Sequence, residues 1–160
     1  SAHLATIAGK AVCLGEALTD EFKTYGANVK ANARLLAEVL QKRGVRIVSG
    51  GTDTHVVLVD VSSKDLTGQQ SQDALSEINI TSNKNPIPFD SAKPSEWKGL
   101  RLGSSAGTTR GFGAKEFEVI GNLIGDIFDA QVADEATRAA VSAKSSAVVA
   151  KLVADFPIYA

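Results

Sequence analysis

A single arginine stands between two leucines, in Leu100-Arg101-Leu102, within a segment rich in turn residues. In a β-strand the two leucines share one face, and Arg101 projects to the other. The strand would therefore hold a guanidinium whose planar fork matches a carboxylate or a phosphate. The alternative is that Arg101 forms an ordinary surface ion pair, the commonest role of an exposed charge. Arg101 is the first candidate for binding an anionic group.

Asn85 stands directly before Pro86 in the run 83–85, Asn-Lys-Asn, and the residues alone favour a turn former at this position. Arg110 and His55 are weaker candidates. Arg110 is suited to hold its loop through backbone carbonyls, and His55 has no recognisable acid or nucleophile partner, which favours a satisfied structural histidine.

Residue sets for chemistry by this chain alone are missing from the sequence. There is no glycine-rich phosphate loop with its lysine, no Cys/His metal spacing and no Ser/His/Asp elbow. Cys13 lies on a helical pattern without a histidine base, and Lys10 is expected on the surface of the same helix. Trp97 could stack on a ligand or anchor its loop, and we favour the anchor. The sequence thus predicts no catalytic residue, no residue that binds a cofactor and no metal ligand.

Three motifs carry a family resemblance: NKNPIPFD at residues 83–90, GLRLGSSAGTTRGFG at 99–113 and FPIYA at 156–160. In them the chain resembles the carboxy-terminal domain of serine hydroxymethyltransferase, whose members typically read N-K-N, a proline-containing turn and R-x-G-T-P-A-x-T-x-R-G. The positions that match this pattern are Arg101, Gly103, Ala106, Thr108, Arg110 and Gly111. Ser104 and Ser105 depart from it, standing where Thr and Pro are commonest, and Pro86 follows Asn85 directly.

The resemblance implies a reaction and two site residues. Enzymes of this family use pyridoxal phosphate to interconvert serine and glycine, with one-carbon transfer to tetrahydrofolate. Arg101 falls at the position that binds the substrate α-carboxylate, and Asn85 at the position that contacts the pterin ring of the folate. The lysine that holds the cofactor belongs to a large domain that precedes this one in the family. The fragment alone is therefore expected to be inactive, and the full enzyme to be a cytosolic homodimer or tetramer.

Two alternatives stay open. The chain could be a non-catalytic interaction or assembly module that retains the same fold, because an isolated domain exposes an apolar face that attracts partners. It could also come from another pyridoxal-phosphate enzyme that handles amino acids, which would keep the arginine but would not need the folate contact of Asn85.

Length and charge bound the remaining possibilities. The 160 residues fit one domain, and we expect 1–160 to be a single carboxy-terminal domain that opens with part of an interdomain helix, about 1–24. The 17 basic and 18 acidic side chains balance, which disfavours nucleic acid and membrane surfaces as partners. The lone Cys13 cannot form an internal disulfide, and no signal peptide or membrane-spanning run is evident. A cytoplasmic location is expected.

Hydrophobic periodicity predicts helices at both ends of the chain. The first is expected to run to about Phe22 and to be broken at Tyr25-Gly26, with a second from about Ala27 to a C-terminal Gly44. A Thr67/Gln70 capping box predicts the start of a third helix. Apolar spacing predicts two more after Gly113, the last of them rich in alanine.

Strands are expected at Arg46–Val48, His55–Asp60, Ile78–Ser82 and Leu100–Leu102, the second of them buried on both faces. Residues 83–99 are expected to form a long binding loop. Together these elements predict an α/β (α+β) two-layer sandwich with a small, mostly antiparallel sheet covered by helices. The resemblance implies the same fold, that of the carboxy-terminal domain of fold-type I pyridoxal-phosphate enzymes.

Overall fold

The computed structural model describes residues 3–91 and 93–158, so the last two residues of the FPIYA motif lie outside the described residues. Within these ranges the chain forms six α-helices and one four-stranded sheet. The helices are α1 (Leu4–Glu16), α2 (Asp20–Lys42), α3 (Gly68–Glu77), α4 (Ser105–Arg110), α5 (Ala114–Gln131) and α6 (Glu135–Asp155). The strands are β1 (Arg46–Ile47), β2 (Val56–Asp60), β3 (Asn83–Asn85) and β4 (Gly99–Gly103).

The sheet has the order β1-β2-β4-β3, and every neighbouring pair is antiparallel. Helices cover one face of it, which we call the inner face. Val57, Val59 and Leu100 point to the inner face and are completely buried. Their alternates in the strands point to the outer face, where Val56 and Leu58 are half-buried and Arg101 is exposed. The predicted two-layer α/β arrangement with an antiparallel sheet is confirmed, but β2 is covered on only one of its faces.

The core lies between the inner face and helices α2, α3 and α5. Leu40, Leu75, Ile127 and Phe128 contribute fully buried side chains from these helices. Burying such a side chain contributes about 1.5–3 kcal/mol relative to leaving it exposed. The outer face therefore rests on a rigid, close-packed layer.

The first helical boundary differs from the prediction. The chain breaks at 17–19, and α2 then runs through Gly26 without interruption. Thr19 caps α2, its hydroxyl accepting a hydrogen bond from the Phe22 amide at 3.2 Å, and Asp20 places negative charge in the first turn. A glycine inside a helix costs only about 1 kcal/mol relative to alanine, less than a good cap and a long apolar stripe supply. The predicted end of α2 is confirmed by Gly44, whose φ is +76°.

The third strand also lies later than predicted. Ile78 and Ile80 do not form a strand but close α3, because Asn79 takes a left-handed conformation with a φ of +60°. The Ile80 amide then bonds back to the Leu75 carbonyl at 2.9 Å. The strand forms instead at Asn83–Asn85, so the loop expected at 83–99 is shortened to 86–98.

This loop is tied down by its own polar groups. The Asp90 carboxylate accepts from the Lys98 amide at 2.7 Å, and the Trp97 indole donates to the Ser91 carbonyl at 3.0 Å. The indole bond holds the loop's own conformation, and the predicted attachment of Trp97 to the domain is made by its carbonyl, which accepts from the Gly68 amide at 2.7 Å. After β4, the glycine-rich segment forms the short helix α4, which the sequence analysis did not predict.

Candidate functional site

Arg101 lies near the middle of the outer face. It sits on β4 between two other strands, opposite Leu58 on β2 and opposite Asn83 on β3. Its chain neighbours Leu100 and Leu102 are buried in the core on the other side of the sheet. The strand alternation expected from Leu100-Arg101-Leu102 is present, and it fixes the base of the arginine side chain to a rigid element.

The Arg101 guanidinium makes neither a hydrogen bond nor an ion pair with residues 3–91 and 93–158. The nearest acid along the same face of the sheet is Asp60, and it is already engaged. Its carboxylate accepts from Arg46 at 2.7 Å and from the Ser62 hydroxyl at 2.6 Å. Burial would raise the pKa of Asp60, but the bonds from Ser62 and Arg46 outweigh burial and lower that pKa. The surface ion pair weighed as the alternative for Arg101 is not formed within the described chain.

An open depression of about 440 Å³ surrounds the arginine. This size falls in the range of small-molecule sites. Besides Arg101, its walls include Asn83 from β3 and His55 from the turn before β2. Strands β3 and β4 stop pairing at Asn83 and Arg101. The depression is therefore open at that end of the two strands.

Asn85 lies two residues further along the outer face, opposite Gly99. It is half-buried, and its side-chain Nδ2 donates to the Pro86 carbonyl at 3.2 Å. A Cβ on Gly99 would lie 2.2 Å from the Asn85 carbonyl oxygen, so only glycine permits the two strands to approach this closely. The structure thus brings Arg101 and Asn85 onto one face of the sheet. The bond from Asn85 to the Pro86 carbonyl also agrees with the alternative that Asn85 forms a turn.

Helix α3 holds β3 in place from the inner side. The Lys84 amide donates to the Gln72 side chain at 2.8 Å, and the Lys84 ammonium donates to the Gln69 side chain at 2.6 Å. The capping box predicted at Thr67 and Gln70 is confirmed, with both of its hydrogen bonds present. The middle residue of the Asn-Lys-Asn run thus docks the strand, and the two asparagines face outward.

Arg110 and His55, the two weaker candidates, differ in their hydrogen bonds. The Arg110 guanidinium donates to the carbonyls of Phe156 at 2.8 Å and Val153 at 3.5 Å, so the predicted structural role is confirmed. His55 is different. Its carbonyl accepts from the Ser104 amide at 3.0 Å, but its imidazole is exposed and makes no hydrogen bond within the described chain. The imidazole of His55 is therefore not held by a partner in the described chain, and the structural role expected for this residue stays a prediction.

Asn83 lines the depression beside Arg101 but is not among the candidates predicted from the sequence. Residues 83 and 85 of an Asn-Lys-Asn strand must share a face, which could have indicated it. The prediction of a strand at Ile78–Ser82 and a loop from 83 onward hides this relationship.

Lys10 and Cys13 are exposed on α1, which buries none of its side chains. Among residues 3–91 and 93–158, no group of three His, Cys, Asp or Glu side chains is placed to hold a metal ion. None of the helices described combines the length and the apolar character needed to cross a membrane.

The sequence of this chain matches proteins of one family. A family model described as serine hydroxymethyltransferase matches residues 1–124. A 2-methylserine hydroxymethyltransferase from Aminobacter sp is 59% identical over 160 residues, which cover 100% of this chain and 37% of that protein. A 2-methylserine hydroxymethyltransferase from Ensifer sp is 55% identical over 159 residues, covering 99% of this chain and 37% of that protein.

A relative named for serine is also similar to this chain. A serine hydroxymethyltransferase from Paramagnetospirillum magneticum is 52% identical over 153 residues, covering 96% of this chain and 36% of that protein. The chain therefore spans little more than a third of the length of these curated relatives. Because the family model covers more than half of the chain and the identities are high, the chain belongs to the serine hydroxymethyltransferase family, to whose carboxy-terminal part it corresponds.

Proposed function

We propose that this chain is the substrate-binding, carboxy-terminal domain of a pyridoxal-phosphate-dependent hydroxymethyltransferase. The observation that carries the proposal is the Arg101 guanidinium, which is exposed on a rigid strand and unpaired within the described chain, with Asn83 opposite it and Asn85 further along the same face. Arginine binds a carboxylate through two parallel hydrogen bonds, which fix its orientation as well as its position. Arg101 would hold the α-carboxylate of the amino acid, a positioning role that involves no proton transfer.

Asn85 would contribute to the folate site on the same face. Its Nδ2 bond to the Pro86 carbonyl is long, at 3.2 Å, and its side-chain oxygen makes no hydrogen bond within the described chain. An amide in this state can offer both a donor and an acceptor to a pterin ring.

The described residues do not fit the cofactor itself. The strand positions of the outer face hold no lysine, and Lys84 faces the opposite layer, where it is bound to Gln69. When bound, pyridoxal phosphate withdraws electrons from the amino acid's Cα. The part of the parent protein outside this chain would hold the cofactor and close the outer face.

This division of labour explains why we expect the fragment to be inactive. An arginine–carboxylate pair exposed to water contributes at most about 1 kcal/mol. Binding by Arg101 becomes strong only where water is excluded, which requires a second surface over the outer face. The chain supplies one half of a site.

We propose that helix α1 joins this domain to the rest of the parent protein, because its apolar side chains are exposed. Its apolar side chains have no cover in the described chain: Leu4 is 78% exposed and Leu14 is 68% exposed. Leu18, just after the helix, is 81% exposed. Such a stripe is expected to pack against another part of the protein. We further propose, from family membership alone, that the parent is a cytoplasmic homo-oligomer.

Two amino acids are candidate substrates. The carboxylate that Arg101 would bind is common to serine and 2-methylserine, so the arginine does not distinguish them. The relatives at 59% and 55% identity are named for 2-methylserine, and the relative at 52% for serine. This pattern favours 2-methylserine, with serine as the second candidate. Loss of the hydroxymethyl group would leave alanine from 2-methylserine and glycine from serine.

The full-length parent tests this function directly. It would be loaded with pyridoxal phosphate and incubated with each amino acid and tetrahydrofolate, and the amino-acid product would be identified. We expect alanine from 2-methylserine at a higher kcat/KM than glycine from serine, and neither product from the 160-residue chain alone. If the loaded parent forms neither product and binds neither amino acid, the non-catalytic assembly module becomes the better explanation.

A further inference from the structure

Asn83 lies directly opposite Arg101, on the neighbouring strand and on the same face. Side chains so paired in an antiparallel sheet have their Cβ atoms about 4.5–5.5 Å apart. Both side chains are exposed, and both line the depression described above. Neither side chain makes a hydrogen bond with the described part of the chain.

The chemistry of the two groups is complementary. A guanidinium has five N–H donors, and a bidentate carboxylate uses two of them, so three remain. The amide of asparagine has one acceptor oxygen, which a guanidinium can use, and one donor nitrogen, which a carboxylate can use. An asparagine beside an arginine can therefore bridge the arginine and the anion that it holds.

The other neighbour of Arg101 cannot take this role. Leu58 lies opposite Arg101 on β2 and offers only an apolar surface. Asn85 is displaced by two residues along β3 and lies opposite Gly99, not opposite Arg101. Asn83 is thus the polar side chain best placed to complete the arginine's site from within this sheet.

We propose that Asn83 is a second residue that binds the substrate carboxylate, its Oδ1 accepting from Arg101 and its Nδ2 donating to a carboxylate oxygen. This inference rests on the proposed role of Arg101 and extends it. Asn83 closes a ring of hydrogen bonds that fixes the plane of the guanidinium and the carboxylate together. Substitution of Asn83 should therefore weaken the binding of the amino acid. It should not change the affinity for folate, whose contact we assign to Asn85.

The test uses the full-length parent enzyme loaded with pyridoxal phosphate, with the dissociation constants of glycine and of a reduced folate measured separately at equilibrium. Asn83→Ala removes both hydrogen bonds and is expected to raise the glycine Kd about tenfold. Asn83→Asp keeps the acceptor but replaces the donor with a negative charge beside the carboxylate. It is expected to raise the glycine Kd about a hundredfold. The folate Kd should stay within about twofold in both variants, which a merely structural role of Asn83 would not produce.

Asn122→Asp is the matched control, because it makes the same change of charge at an exposed position of α5, in the helical layer. It should leave the glycine Kd unchanged. Arg101→Ala, measured in parallel, separates the two proposals. If Arg101→Ala abolishes glycine binding while both Asn83 variants bind glycine like the parent, the role of Asn83 is overturned and that of Arg101 stands. If Arg101→Ala also binds glycine normally, both proposals fail. Should Asn83→Asp fail to fold, Asn83→Ala alone decides the outcome.

Discussion

Gly68 at the start of α3 lies against the backbone of Gly99 on β4, so closely that a Cβ on Gly68 would stand 2.3 Å from the Gly99 carbonyl oxygen. The Gly68 amide also donates to the Trp97 carbonyl at 2.7 Å. This contact seats α3 on the sheet next to the strand that carries Arg101. The position of α3 beside this strand thus depends on a glycine at position 68 together with the hydrogen bond to the Trp97 carbonyl.

Gly68→Ala is expected to destabilise the chain by about 1–3 kcal/mol, because the added methyl group meets backbone that cannot yield. Urea denaturation of the 160-residue chain would measure the change in the free energy of unfolding. Gly26→Ala is the control, since a Cβ there meets nothing within 4 Å inside α2, and it should stabilise by about 0.5–1 kcal/mol. Equal effects from both substitutions would contradict the close approach of α3 and β4.

Stability should fall in acid through two carboxylates. Hydrogen bonds and ion pairs outweigh burial and lower the pKa of Asp60, and the bonds from Lys64 and Arg43 do the same for the pKa of Asp129. A carboxyl with a lower pKa in the folded state binds its proton more weakly there than in the unfolded state. Its contribution is therefore complete above the ordinary value of 3.8 and is lost as the pH falls through the lower, folded value.

Chemical denaturation across this acid range would test that dependence. Asp60→Asn should flatten the fall in the free energy of unfolding, because the amide does not titrate. An unchanged acid limb in the Asp60→Asn variant would show that Asp60 does not have the lowered pKa.

Arg110→Gln should separate structure from binding. The substitution removes the guanidinium bonds to the carbonyls of Phe156 and Val153, which fasten the end of α6. Leaving these carbonyls without their donor is expected to cost about 1–3 kcal/mol in the free energy of unfolding. In the full-length parent, the glycine Kd of this variant should match that of the parent. A large rise in that Kd without loss of stability would move Arg110 into the substrate site.

Asn85→Ala tests the proposed folate contact in the full-length parent. Losing a donor and an acceptor is expected to raise the Kd of a reduced folate by about 10-fold or more, with the glycine Kd unchanged. Equilibrium binding with each ligand alone would measure both constants. If Asn85 serves only as the turn former bonded to Pro86, the substitution should instead lower stability and leave the folate Kd where it was.

The sequence was sufficient for the elements whose signals are local. Three features that depend only on neighbouring residues occur as predicted: the Thr67/Gln70 capping box, the left-handed Gly44 and the alternation around Arg101. The errors arose where tertiary packing decided the outcome. Ile78 and Ile80 have the apolar, β-branched character of a strand, but the core takes Ile78 as the end of α3.

The site was predicted in the same uneven way. The outward direction of Arg101 follows from its two leucine neighbours, and Asn85 is a candidate because of the resemblance. Asn83 needed the register between β3 and β4, which depends on contacts between residues that are distant in the sequence. The exposure of the His55 imidazole could not be predicted, because the burial of a side chain at a strand end depends on what the rest of the fold places over it.

The most direct test of the central claim is the equilibrium affinity of the full-length parent for glycine, measured with Arg101 intact and with Arg101→Ala and Arg101→Lys. Lysine keeps the charge but loses the planar fork. We expect the alanine variant to lose glycine binding and the lysine variant to bind weakly, while both retain pyridoxal phosphate and reduced folate. Unchanged glycine affinity in the alanine variant, with the cofactor bound, would contradict the assignment of Arg101 as the residue that holds the substrate carboxylate.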